Sequence, residues 1–114
     1  MNQYMLVMTG AAKAWQALGP EENQRLMEQY YAFVDMMRKG HGFVGGSALD
    51  QAGYGLQTAS KKVVVDGPFS ETKEVLNGYM IFNAPDFEAA IAIAKQCPAL
   101  GHGEKVQVFA LKEH

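Results

Sequence analysis

Two stretches of this sequence repeat their apolar residues at helical spacing, and the segments around them read as strands. That ordering limits the fold more than any other feature. The first stretch opens at Gly19-Pro20-Glu21-Glu22. Proline is preorganised for a first helical turn, and the two glutamates complement the positive end of the helix dipole. Leu26, Tyr30, Phe33, Val34 and Met37 then recur on one face, with Met27 and Tyr31 alongside. Arg38 and Lys39 fill the last turn, and Gly40 or Gly42 ends it. The second stretch follows Pro85, with Asp86 as N-cap and Phe87, Ala90, Ile91 and Ala94 as the inward stripe. Pro98 stops it near Gln96 or Cys97.

The strands are short and bounded by turn residues. Residues 3–8 form the first, closed by Thr9 and Gly10. Residues 43–49 form a second, rich in Gly45, Gly46, Ser47 and Ala48, which lets a helix, a backbone or a ligand come close. A short strand over 56–59 and a β-branched one over 61–65 follow, the latter ending at Asp66-Gly67-Pro68. Residues 77–83 and 105–111 complete the set. The order is β-α-β-β-α-β with an inserted hairpin, an α+β fold of the ferredoxin-like kind with an antiparallel sheet. Two helices cover one face of such a sheet. The strands are apolar in more than one register, so a second subunit packed sheet to sheet is expected, giving a homodimer.

Composition removes several classes. At 114 residues the chain suits a single domain spanning 1–114, and 48% hydrophobic content is too high for disorder. One cysteine allows no internal disulfide, and a net charge of −2 leaves no footprint for nucleic acid or an anionic membrane. There is no apolar run of spanning length and no basic leader, so a cytoplasmic location is expected.

The densest polar cluster is Asp66-Gly67-Pro68-Phe69-Ser70-Glu71-Thr72-Lys73-Glu74, with four charges in a chain that is only 19% charged. Gly-Pro fixes a tight path and Phe69 can anchor it, leaving the polar tail on the surface. Rigid loops of this sort carry binding sites, and the same stretch also reads as a stiff solvated connector. It resembles the signature of the DGPF-domain proteins of the YCII-related family. Tyr4-Met5-Leu6, Gly42-Phe43-Val44-Gly45-Gly46, Gly78-Tyr79 and Cys97-Pro98 agree with that family in order. The resemblance implies a bacterial protein that dimerises as an α/β barrel. Some members carry a histidine in the first helix facing an aspartate near the end of the second. Aligned on the glycines after the first helix, those positions fall near Tyr31 and Cys97, a departure at both that counts against His–Asp acid–base chemistry here. Some relatives are associated with sigma-factor regions, which implies a transcriptional partner as the alternative role.

The leading expectation is a small-molecule site in the barrel cleft. Asp66, Glu71, Thr72, Lys73 and Glu74 would line its mouth, with Phe69 as anchor and Tyr31 and His102 nearby. If the site catalyses, Asp66 or Glu71 is the base and Lys73 its electrostatic partner. His102 lies between two glycines in a ligand-accessible loop; His41 follows the first helix and His114 is terminal. With no HxH or HxxxH spacing, no metal site and no cofactor are expected. Cys97, at the negative end of a helix, reads as an inert thiol, and Trp15 with Leu18 as packing. Residues 39–46 partly match an RNA-recognition motif, but His41 and Gly46 replace stacking aromatics and the pI is near 5.9, so RNA binding is not expected.

Overall fold

Pro20 opens the first helix where the sequence places it. The computed structural model describes residues 2–11, 18–40, 42–49, 53–66 and 74–112, and of Asp66 and Glu74 the backbone alone. In chain order the elements are β1 (Asn2–Ala11), α1 (Pro20–Gly40), β2 (Phe43–Ala48), β3 (Gly55–Ala59), β4 (Lys62–Asp66), β5 (Glu74–Ala84), α2 (Phe87–Ala94), a 3-10 turn (Pro98–His102) and β6 (Lys105–Ala110). The fold is α+β. Four strands form an antiparallel sheet in the order β2-β5-β1-β6, and β3 pairs with β4 in a sheet of their own.

The core lies between the helices and one face of the larger sheet. Tyr4, Leu6 and Met8 alternate along β1 and point to that face, with Met80, Phe82 and Ala84 of β5 beside them. From α1 come Leu26, Tyr30, Phe33 and Met37, spaced to form one stripe. Fully burying each large apolar side chain contributes about 1.5–3 kcal/mol. Leu18 packs partly against this core; Trp15, His41 and His114 lie outside the described residues.

The opposite face follows from register. Met5 lies opposite Ile81 and Phe109, and Val7 opposite Tyr79. These five residues alternate away from the helices, so the second face is also apolar, and Phe109 is 46% exposed on it. In the smaller sheet, Ser60 and Lys61 both take positive φ, the geometry of a tight two-residue hairpin turn. Leu56, Val63 and Val65 stand well exposed on it.

Three local expectations are corrected. Thr9 and Gly10 do not close β1, which runs to Ala11. Gly10 serves close approach instead: a Cβ there would lie 2.9 Å from the Glu104 side chain. The second helix buries Ala90, Ile93 and Ala94, while Phe87 and Ile91 are half exposed. Small alanines make the close contact, and Phe87 sits at the edge against the Tyr4 ring, with 5.0 Å between centroids. His102 is not on a glycine-loosened loop. It ends the 3-10 turn that Pro98 starts, and Gly103 at φ 78 caps that turn by donating its N–H to Ala99. Asp86 is the N-cap expected, accepting from the Ala89 N–H at 2.9 Å.

Candidate functional site

A cleft of about 210 Å³ opens between α1 and the β2–β5 side of the sheet. Met27, Tyr30, Tyr31 and Val34 form its helix wall, and Met8, Phe43, Ser47, Ala48 and Met80 the sheet wall. Gly46 also lines it, and here the small residue is obligatory. A Cβ would drive into the Tyr79 carbonyl and lie 2.9 Å from the Met80 Cα. The close approach that the sequence left open is therefore that of the β5 backbone. Gly45, next to it, faces open space.

The cleft floor carries Asn77, placed there by a bulge. β1 pairs Met8 with Gly78 and then Thr9 with Leu76, so Asn77 is an extra residue on β5. Bulges re-aim side chains in this way. Its carbonyl accepts the Leu49 N–H at 2.8 Å, which ties the bulge to the end of β2. The Asn77 side chain is 8% exposed and donates Nδ2 to Oε1 of Glu104 at 2.5 Å. Its Oδ1 is buried with no hydrogen-bond partner among the described residues. An acceptor left in that state costs about 1–3 kcal/mol.

Behind Asn77 lies a buried polar cluster. Glu104, at the foot of β6, is 6% exposed. Tyr30 donates its hydroxyl to the Met8 sulfur at 3.4 Å. Burial pushes the Tyr30 hydroxyl well above its usual range, and the neighbouring Cys97 and Glu104 add to the effect. Burial also pushes the Cys97 thiol up; hydrogen bonds from the Ala99 backbone and Tyr30 oppose this, and the Glu104 charge reinforces it. Both groups stay protonated at neutral pH. In that state both are neutral hydrogen-bonding groups. The inert reading of Cys97 therefore stands, with burial ahead of the helix dipole as its cause.

The residues expected at the site are distributed as follows. Tyr31 stands at the cleft mouth, 66% exposed. Its neighbour Tyr30 is turned inward and shares a side-chain hydrogen bond with Cys97. His102 is exposed on its 3-10 turn and does not line the cleft. Phe69, Glu71, Thr72 and Lys73 lie outside the described residues. Asp66 ends β4 and Glu74 begins β5, three residues before Asn77. Among the described residues no group of three or more His, Cys, Asp or Glu side chains is placed to hold a metal.

Asn77 and Glu104 are the residues that sequence reasoning missed. Asn77 sat in a strand pattern, and Glu104 followed a Gly-His-Gly turn; neither position carries a periodic signal. A single acidic residue just before the final strand was the one available hint.

The family model for the YCII-related domain matches residues 3–112. The chain belongs to the YCII-related family. No curated protein matches it significantly. The matched span contains the buried cluster of Tyr30, Asn77, Cys97 and Glu104. No helix among the described residues is long and apolar enough to cross a membrane.

Proposed function

We propose that this YCII-related chain binds a small molecule in the cleft between α1 and the β2–β5 side of the sheet. The observation that carries the reading is the cleft itself: an apolar volume set over a buried polar residue, the usual composition of a small-molecule site. The strand order β2-β5-β1-β6 and the two helices support a ferredoxin-like unit with an inserted hairpin. The second apolar face of the sheet, on which Val7 is buried, Met5, Tyr79 and Ile81 are half-buried and Phe109 is exposed, supports its pairing with a second copy into a dimeric α/β barrel. The segment 66–74 enters β5 just before Asn77, which supports its residues as the mouth of the cleft, Glu71 and Lys73 foremost.

A thermal-shift screen of the full chain over metabolite classes tests this. A ligand at a hundred times its Kd stabilises by about 2.7 kcal/mol and raises the melting temperature. Ala48→Phe, which fills the cleft, removes that shift. Glu71→Ala and Lys73→Ala keep the fold and abolish binding; unchanged binding in both returns the segment to a structural connector.

The exposed Leu56, Val63 and Val65 of the β3–β4 hairpin favour a second reading, a non-catalytic module for a protein partner such as a sigma factor. Pull-down of purified sigma factor by the wild type, lost in Val63→Asp, distinguishes it from the first.

A further inference from the structure

The β3–β4 hairpin and the α2–β6 side of the sheet are two apolar surfaces without a cover, and they match. Leu56 lies opposite Val65 and Thr58 opposite Val63, so Leu56, Val63 and Val65 share one face of the hairpin. Each is at least 64% exposed. Among the described residues β3 and β4 pack chiefly on each other. The molecule is stretched accordingly, with a radius of gyration of 16.0 Å, against about 13 Å for a compact chain of this length. On the other side, a groove of about 320 Å³ runs between α2 and β6, lined by Phe87, Ile91, Leu100, Val106 and Val108. Phe87, Ile91 and Leu100 are half exposed. Among the described strands β6 pairs with β1 alone, so its other edge is open.

Register fixes where the two surfaces lie. Lys105 pairs with Thr9, and Met8 with Gly78, which pairs with Ala48, so β6 starts at the end of the sheet where β2 finishes. The hairpin springs from that same end, between β2 and β5. It leaves from the edge opposite β6 in the order β2-β5-β1-β6, away from its own groove. Sheet-to-sheet packing about a two-fold axis along the strands sets each copy's β2 edge beside its partner's β6 edge. A hairpin laid on the partner's groove then has its base at the Lys105 end and its turn at the far end.

Charge and length agree with that placement. Phe87 meets Tyr4, which pairs with Ala110, so α2 starts at the far end of the groove and Lys95 lies near Lys105. Lys61 and Lys62, at the hairpin turn, thus meet Glu88 in the first turn of α2 and stay clear of Lys95. β4 runs antiparallel to β6, the more stable ladder. It spans about 13 Å, and α2 from Phe87 to Lys95 about 12 Å. Area points to a second copy as the occupant. A stable interface takes about 800 Å² from each partner. The outer sheet face, where Val7 is buried and Met5, Tyr79 and Ile81 are half-buried, offers little of it.

Resting on the sheet-to-sheet dimer read above, we infer that each copy lays its β3–β4 hairpin on the other's α2–β6 groove, adding β4 to the open edge of β6. Exchanged hairpins close the barrel at both seams and cover the apolar faces that one copy leaves bare.

Sedimentation velocity of the full chain tests this with one variant on each surface. Val63→Asp charges the hairpin and Ile91→Glu the groove, and each is expected to weaken self-association about tenfold or more. Mixed in equal amounts, the two variants can still seat an intact hairpin in an intact groove once per dimer. The mixture is therefore expected to associate more tightly than either variant alone. Lys62→Glu and Glu88→Lys are each expected to weaken association, and to restore it when combined in one chain. Leu56→Asp or Leu100→Asp replaces whichever apolar variant fails to fold by circular dichroism. A mixture no tighter than its components overturns the exchange; if Phe109→Asp still weakens association, the sheet-to-sheet dimer stands without it. A wild type that stays monomeric at all concentrations overturns both. Capture of a sigma factor lost in Val63→Asp, with self-association unchanged, overturns the exchange and gives the hairpin to that partner.

Discussion

The cleft beneath α1 and the β3–β4 hairpin are both rich in apolar residues, and they differ in who covers them. Under α1, Tyr30, Phe33, Met80 and Phe82 are packed by elements of the same chain. On the hairpin, Leu56, Val63 and Val65 face outward from two strands that pair with each other. An isolated two-stranded hairpin is marginal in water at best. The first region is complete within one copy of the chain. The second, like the outer sheet face around Phe109, has the composition of a surface made to be covered.

Substitution can break or sharpen that contrast. Phe33→Ala should cost about 3–5 kcal/mol in chemical denaturation, because it empties a packed position. Val63→Ala should stay within about 0.5 kcal/mol at high dilution. If its cost grows with protein concentration, the hairpin is covered by another copy, and the contrast becomes one of intramolecular against intermolecular packing. The paired glycines of β2 give the next largest effect. Gly46→Ala should lose about 1–3 kcal/mol, since its Cβ meets the Tyr79 carbonyl. Gly45→Ala, with open space before it, should be near neutral in the isolated subunit.

The smallest effect is pH dependence. Tyr30 and Cys97 are acids that stay protonated longer in the folded chain than in the unfolded one. Their contribution to stability is whole below the unfolded thiol's 9.0 and falls as pH rises past it, because the unfolded state releases protons that the folded state retains. Melting temperature should therefore decline from about pH 9 upward. The double variant Tyr30→Phe with Cys97→Ala should flatten the decline; an unchanged slope would place its origin elsewhere.

What the sequence reveals depends on distance along the chain. Pro20 with Glu21 and Glu22, and Asp86 before Phe87, are local devices acting over one helical turn, and both helices begin where they point. The β2–β5–β1–β6 pairing follows from the order of apolar segments. Thr9-Gly10 misleads because glycine marks both turns and close contacts, and only the Glu104 side chain lying on Gly10 tells them apart. The polar floor is harder still. Asn77 and Glu104 stand 27 residues apart in sequence and meet only after β1 has paired with both β5 and β6. The segment 66–74 is legible as a family signature, which is information about relatives and not about where a side chain points.

The bulge at Asn77 makes the cleft sensitive to counting. In a strand every residue faces opposite to its neighbours, so one supernumerary residue exchanges the two faces for everything on one side of it. Remove a single residue between Val75 and Gly78 and the ladder to β1 runs straight. The amide then has no place under α1, although the composition of the strand is almost unchanged. A substitution scan across β5 would record moderate, graded losses. A scan of one-residue deletions would find a sharp boundary there, because the polar floor of this cleft is encoded in the length of a strand as much as in the identity of its residues.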